Sequence, residues 1–189
     1  MTLQEYINHV RKVLDEYETD ISFWTDDELR KWLNEGLMEV SKITKFLTQR
    51  AFIEPTTESE YPLPDDFIEA YKVKVDGVFE DPITMEEDGE ETGYYIWGKM
   101  FFLSEFPDDS RIVMYYYRTA KKMEILTEEP ELPVEYEDII IPFCLYRAFM
   151  KDRRSDEANL AQQKFYERVR VMKGKYDRQP NNRQWKVVR

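Results

Sequence analysis

Apolar residues at Leu3, Ile7, Val10, Leu14 and Tyr17 recur at spacings of four and three, which sets them on one stripe of a helix. The pattern predicts an amphipathic helix over 2–17, with His9 off the stripe and solvated. A longer stripe, Leu29, Trp32, Leu33, Leu37, Val40, Ile43 and Leu47, predicts a second helix over 25–49. Thr25-Asp26-Asp27-Glu28 marks its start as a capping box. In that motif the Thr25 hydroxyl accepts from the amide of residue 28, and Glu28 reaches back to the amide of residue 25. Trp24 is placed to staple onto Leu29, and Asp26 and Asp27 suit the positive end of the helix dipole. Gly36 interrupts the stripe at about 1 kcal/mol relative to Ala, a cost that close approach by a neighbouring helix would offset.

The periodicity changes after Arg50. Phe52 to Glu60 reads as polar and turn-rich, and the prolines of Tyr61-Pro62-Leu63-Pro64-Asp65-Asp66-Phe67 forbid a regular helix. From Ala70 the chain alternates, with Tyr71, Val73 and Val75 on one side and Lys72 and Lys74 on the other, up to Asp76-Gly77. Such a pair after alternating residues is a hairpin signal. Residues 80–91 hold seven carboxylates in twelve positions and read as a solvated loop. Tyr94 to Trp97, Gly98-Lys99 and Met100 to Leu103 predict a second hairpin. Arg111 to Tyr117 predicts a last strand, apolar on both faces. Four or five strands over 61–119 then form a small antiparallel sheet.

Helices return after a second acidic linker from Glu124 to Pro133. Tyr136, Ile139, Ile140, Phe143, Tyr146 and Met150 predict a third helix over 134–151. Pro133 suits a first helical position, and Pro142 should kink or split the helix. Ser155-Asp156-Glu157 predicts the cap of a fourth helix over 156–174, which buries Ala161, Phe165, Val169, Met172 and Tyr176 and ends near Gly174. The expected fold is α+β, a bundle of about four helices with a small antiparallel β-sheet inserted between the second and third. Residues 1–175 read as one domain, and residues 176–189, which show no period, as an extended C-terminal tail.

Composition narrows the function. Of 189 residues, 42% are hydrophobic and 35% charged, and the mean hydropathy is −0.70. A core can form, but no run approaches the roughly 20 apolar residues of a spanning helix. No signal peptide is expected, so the chain reads as made intracellularly. A single cysteine and a single histidine exclude an internal disulfide and a zinc cluster. The net charge of −12 is uneven. Residues 151–189 hold twelve Lys/Arg against five Asp/Glu, and residues 1–150 hold fifteen against thirty-four. The acidic body repels phosphates across a Debye length of about 8–10 Å, without preventing DNA from sliding past. The basic C-terminal quarter suits an acidic partner or is simply a Lys/Arg-rich surface helix.

Motifs that carry chemistry are missing. The sequence contains no G-x-x-x-x-G-K, G-x-G-x-x-G, G-x-S-x-G or H-E-x-x-H. Cys144 lies on an apolar helix face and reads as a small core residue. The acidic loop lacks the alternating oxygen ligands of a calcium loop. Tyr115-Tyr116-Tyr117 resembles a stacking run, but only Arg111 and Arg118 bracket it. Nucleic-acid surfaces need interleaved cations, so sheet core is the reading. No catalytic, cofactor-binding or metal-binding residue is nominated, and the chain reads as a building block rather than an enzyme.

Several stretches converge on a family. Phe23-Trp24-Thr25-Asp26-Asp27-Glu28-Leu29-Arg30-Lys31-Trp32-Leu33-Asn34-Glu35-Gly36 opens the second helix, and Tyr61 to Phe67 enters the sheet. Tyr94 to Leu103 forms the middle hairpin, and Glu131-Leu132-Pro133-Val134-Glu135-Tyr136 leads to Leu145-Tyr146-Arg147-Ala148-Phe149. In that order and spacing, over residues 3–175, the chain resembles the head-to-tail adaptor (connector, or head-completion) proteins of tailed bacteriophages. The resemblance implies a virion protein of the neck, forming a ring, commonly twelvefold. Such a ring sits beneath the portal protein, joins a tail or stopper protein below, and lets genomic DNA pass through its lumen. It also implies a C-terminal arm that docks on the portal, here Tyr176, Arg178, Arg183, Trp185, Lys186, Val187, Val188 and Arg189. A segment with apolar groups but no period of its own can order on a partner's groove. The competing reading is an acidic monomeric binding or inhibitor protein that mimics DNA. The acidic body favours that reading, and the basic C-terminal quarter opposes it.

Overall fold

The computed structural model describes residues 1–15, 23–53, 60–88, 92–104 and 110–177. These residues form an α+β structure with four α-helices and two antiparallel sheets. The chain divides into a helical unit, Met1–Phe46 with Ala120–Arg189, and a β unit, Leu47–Thr119.

In the helical unit, α1 (Leu3–Val13) buries Leu3, Tyr6, Ile7 and Val10, and His9 is exposed. It ends earlier than the predicted residue 17, and Tyr17 lies outside the described residues. Its capping box, unremarked in the sequence, pairs Thr2 with Glu5. The predicted box on α2 (Asp26–Thr44) is present, with the Glu28 amide donating to Thr25 Oγ1 at 3.2 Å and the Thr25 amide to Glu28 Oε2 at 3.0 Å. This helix stops at Thr44, not 49. Lys45 turns left-handed (φ 49°, ψ 37°), and Leu47 instead accepts through its carbonyl from the Arg118 amide at 3.1 Å. The predicted close approach at Gly36 exists: a Cβ there would lie 3.0 Å from the Phe143 Cβ.

The third predicted helix is split at its proline. Val134–Ile140 is a 3₁₀ helix, and α3 (Ile141–Lys151) carries Pro142 in its first turn, where a missing amide costs nothing. Pro133 precedes the 3₁₀ turn in an extended conformation (ψ 141°) rather than starting a helix. The break changes the phase of the buried face. α3 buries Ile141, Cys144, Ala148 and Phe149, and Met150, predicted on the stripe, is exposed. α4 (Ser155–Asp177) begins at Ser155 and runs through Gly174, where neither a positive φ nor a close contact requires glycine. Ala161, Phe165, Val169 and Met172 are buried as predicted. The Phe165 ring packs edge-on to Phe143, with centroids 5.0 Å apart.

A strap, residues 120–123, leads into the acidic linker, which itself turns at 125–128. Asn34, buried on α2, donates to the Met123 carbonyl at 3.0 Å and accepts from the Met123 amide at 2.8 Å. Ser41 Oγ accepts from the Ala120 amide at 3.1 Å. Farther on, Glu128 accepts from the amides of Glu124 and Ile125, and its carbonyl receives the Leu3 amide at 2.8 Å. An extended segment has no ladder of its own, so its backbone groups need such partners.

The β unit is larger than the single sheet expected. A four-stranded sheet has the order β1 (Thr48–Ile53), β7 (Ile112–Arg118), β3 (Phe67–Val75), β4 (Val78–Glu80), and a three-stranded sheet the order β2 (Glu60–Pro62), β6 (Met100–Ser104), β5 (Gly93–Trp97). β1 replaces what the sequence suggested was the end of a helix and the start of a turn. Its partner β7 is distant in the chain, with Thr48 opposite Tyr117 and Ile53 opposite Ile112. Both predicted hairpins form. Asp76 and Gly77 take φ of 50° and 89° between Val75 and Val78, as a primed two-residue turn requires, and Gly98 has φ 62° between Trp97 and Met100. Val73, Val75, Ile112, Met114 and Tyr116 of one sheet and Tyr61, Tyr94, Phe101 and Leu103 of the other form one core. A register shift between Ala70 and Lys72 puts Ala70 and Val73 on the core side. Tyr71, predicted alongside Val73, therefore faces the opposite way and packs on Tyr115 and Tyr117.

Candidate interaction surfaces

Tyr176, predicted to open the docking arm, belongs to the helical body. It sits in the last turn of α4, half-buried, with its ring 6.0 Å from that of Phe46. Helix continuation through Gly174 explains the correction. Arg178, Arg183, Trp185, Lys186, Val187, Val188 and Arg189 lie outside the described residues. Much of the remaining basic charge near this end is already engaged. Lys151 pairs with Glu28 at 2.7 Å, Arg168 with Asp138 at 2.6 Å, Lys173 with Asp177 at 2.8 Å, and Lys175 with Glu135. The Lys151 ammonium holds the Glu28 carboxyl below its ordinary value, helped by the Thr25 amide. The acidic partner that the basic quarter invites is in part the chain's own second helix and 3₁₀ segment.

The outer face of the four-stranded sheet was not legible in the sequence. Pairing sets Arg50 opposite Tyr115 and Tyr115 opposite Lys72, and in the next row Phe52, Val113, Lys74 and Phe79 follow one another across four strands. Arg50 and Arg111 lie over the Phe52 ring at 4.4 and 5.4 Å. Lys74 and Lys72 lie over the Phe79 ring at 4.4 and 5.1 Å. Such contacts leave the cations chargeable and accessible. Phe52 and Phe79 are each more than half exposed. Among the described residues none of these four cations makes an ion pair. The tyrosine run is thus interleaved with cations after all, supplied by β1 and β3. Only Tyr116 is sheet core, buried and donating to Asp66 at 3.0 Å, and its burial pushes the phenol pKa up.

A groove of about 500 Å³ opens between the start of β3, residues 82–85 and β5, lined by Phe67, Ile83, Met85, Tyr94, Ile96 and Trp97. Residues 81–83 of the acidic loop are tied to β5, although Asp81 and Pro82 remain exposed. The Ile83 amide donates to the Tyr94 carbonyl at 2.8 Å, and a Cβ on Gly93 would lie 2.6 Å from Ile83 Cγ2. Trp97 at the rim is 63% exposed, so the groove presents aromatic surface, with Glu69 and Thr84 also in its lining. Asp81, Glu86 and Asp88 of the same segment are exposed, and Asp88 accepts from the Tyr95 hydroxyl at 3.0 Å.

Cys144 is fully buried, and burial pushes its thiol pKa far up, which fits the core role read from its sequence. Among the described residues no three His, Cys, Asp or Glu side chains converge on a metal position, and no helix is long and apolar enough to cross a membrane. What the surface offers is contact area.

The family described as SU10 adaptor protein matches residues 1–187, almost the whole chain. No curated protein matches it. A family of adaptors is structural, and its place is the virion. With its likeness to head-to-tail connectors read from separate stretches and now found over the full length, the chain belongs to the SU10 adaptor protein family of bacteriophages.

Proposed function

We propose that this adaptor is the repeating subunit of a ring in the phage neck. The ring, twelvefold in this reading, binds the portal protein above and a tail or stopper protein below, and genomic DNA passes through its lumen without sequence-specific contact. The family match over residues 1–187 carries the reading. The net charge of −12 supports it, because a channel wall that repels phosphates does not hold DNA back. The docking arm is residues 178–189, with Trp185 as the apolar anchor and Arg178, Arg183, Lys186 and Arg189 steering it to an acidic collar.

Size measurement of the purified chain with and without portal rings tests the assembly. The expected result is a monomer or weak oligomer alone and a ring on the portal. A stable monomer without affinity for portal rings would leave the DNA-mimic reading in its place. The arm is tested by deleting residues 178–189, which keeps Asp177 and its bond to Lys173. Folding should be unchanged and attachment to filled heads lost. Normal head completion by the shortened chain would move the portal contact to the helical body.

A further inference from the structure

The β unit holds six Lys/Arg against seventeen Asp/Glu, yet four of those six, Arg50, Lys72, Lys74 and Arg111, share the outer face of the four-stranded sheet. That face also exposes Phe52 and Phe79. Arginine and aromatic residues together are the composition of a protein interface core, with the acid Glu69 at the end of the face, opposite Tyr117. We infer that this face is a subunit contact, and that its occupant is the carboxylate segment Asp81, Glu86 and Asp88 of a second copy of the chain.

Charge complementarity selects that occupant. A face carrying four cations cannot pair with itself across a two-fold axis, because like charges would be opposed. The contact is therefore head-to-tail, and it needs the two patches on different sides of one subunit. They are so placed. The cations occupy the flat side of the four-stranded sheet, whereas residues 81–83 leave β4 and attach along the edge strand β5 of the other sheet. Nucleic acid is the weaker occupant, since a chain of net charge −12 repels a phosphate backbone before the face can engage it. Head-to-tail contacts close into rings when the rotation per subunit allows. Only that closure rests on the ring reading; the contact itself does not.

Carbodiimide, which joins a lysine to a carboxylate it touches, tests the contact on the full chain. Heavy-isotope-labelled and unlabelled protein are mixed at high concentration, crosslinked and read by mass spectrometry. Mixed-isotope links from Lys72 or Lys74 to Glu86 or Asp88 are expected. Their absence, with the lysines linked elsewhere or not at all, overturns the proposal. Lys72→Glu with Lys74→Glu should weaken assembly by roughly tenfold or more, and adding Glu86→Lys with Asp88→Lys in the same chain should restore it. Circular dichroism confirms that each variant is folded. Assembly unchanged by the reversal overturns the contact while leaving the ring reading standing. Mixed-isotope links without rings on the portal do the opposite. Binding of a short DNA strand by the wild type, lost on lysine reversal, would overturn the choice of occupant.

Discussion

In the helical unit Lys151, Arg168 and Lys173 lie 2.7, 2.6 and 2.8 Å from carboxylates of the same unit. In the β unit Lys72 and Lys74 lie over a phenylalanine ring and Arg50 and Arg111 over another. The totals follow the same division, twenty-one bases against twenty-two acids in one unit and six against seventeen in the other. Charge in the helical unit is therefore spent on cross-helix pairing and on caps. In the β unit four of the six bases share one face of the four-stranded sheet, where among the described residues they lie over aromatic rings and make no ion pairs. Exposed pairs contribute little to stability, about 0–1 kcal/mol each. The difference thus bears on what each unit can contact more than on how firmly it folds.

Five measurements sharpen or break this contrast. The largest effect is expected from Phe101→Ala, which empties the middle of the β core between the Tyr94 and Tyr61 rings. It should cost about 3–5 kcal/mol in denaturant unfolding, and a cost under 1 kcal/mol would mean that the sheets are not packed on that ring. Asn34→Ala should come next, at about 2–3 kcal/mol, since it leaves the buried Met123 amide and carbonyl without partners. A neutral result would show that water replaces the amide, and that the strap is not held as described.

Two glycines should respond with opposite signs. Gly36→Ala brings a methyl group to 3.0 Å from Phe143, which is itself backed by Phe165. The overpacking should exceed the helix-propensity gain and leave a loss of about 1 kcal/mol. Gly174→Ala meets nothing within 4 Å and should stabilise by about 0.5–1 kcal/mol. Melting temperatures of the pair give the signs directly.

The pH dependence of Glu28 is smaller. Its carboxyl is held below the ordinary 4.5 by Lys151, so the folded state binds this proton less readily than the unfolded chain. The resulting stability is fully present above 4.5 and is lost as pH falls through the lowered value. Glu28→Gln should therefore destabilise at neutral pH and do so less in acid. An equal loss at both would trace the effect to the cap geometry alone. The smallest effect belongs to Lys72→Gln with Lys74→Gln, which should leave unfolding within about 0.5 kcal/mol of wild type. A large loss would make these lysines part of the fold and not of a contact.

Features written in neighbouring residues were legible from the chain. The Thr25 capping box, the Asp76-Gly77 and Gly98-Lys99 turns, the split at Pro142 and the close approach at Gly36 all depend on local chemistry or on one missing side chain. What was hidden depended on distant partners. Nothing near Thr48 announces a strand, because its pairing with Tyr117 supplies the ladder. Helical periodicity through Leu47 lost to that pairing. The basic face was hidden for the same reason, since Arg50, Lys72 and Tyr115 become neighbours only across β1, β3 and β7. The linker from Glu124 does turn, at 125–128, as its acids and prolines suggest, whereas the ties of Met123 and Ala120 just before it depend on Asn34 and Ser41 of α2.

The strap has a consequence for the order in which the protein is made. Asn34 waits for Met123, 89 residues later, and at about 5–20 residues per second the ribosome delivers it only after several seconds. During that interval α1 and α2 are already synthesised, with the amide of Asn34 and the apolar stripe from Leu29 to Val40 lacking their final partners. The β unit, by contrast, is one uninterrupted stretch and has all its strands once Thr119 has emerged. The strands of the middle unit are therefore all synthesised before the N-terminal helices receive the last of their partners.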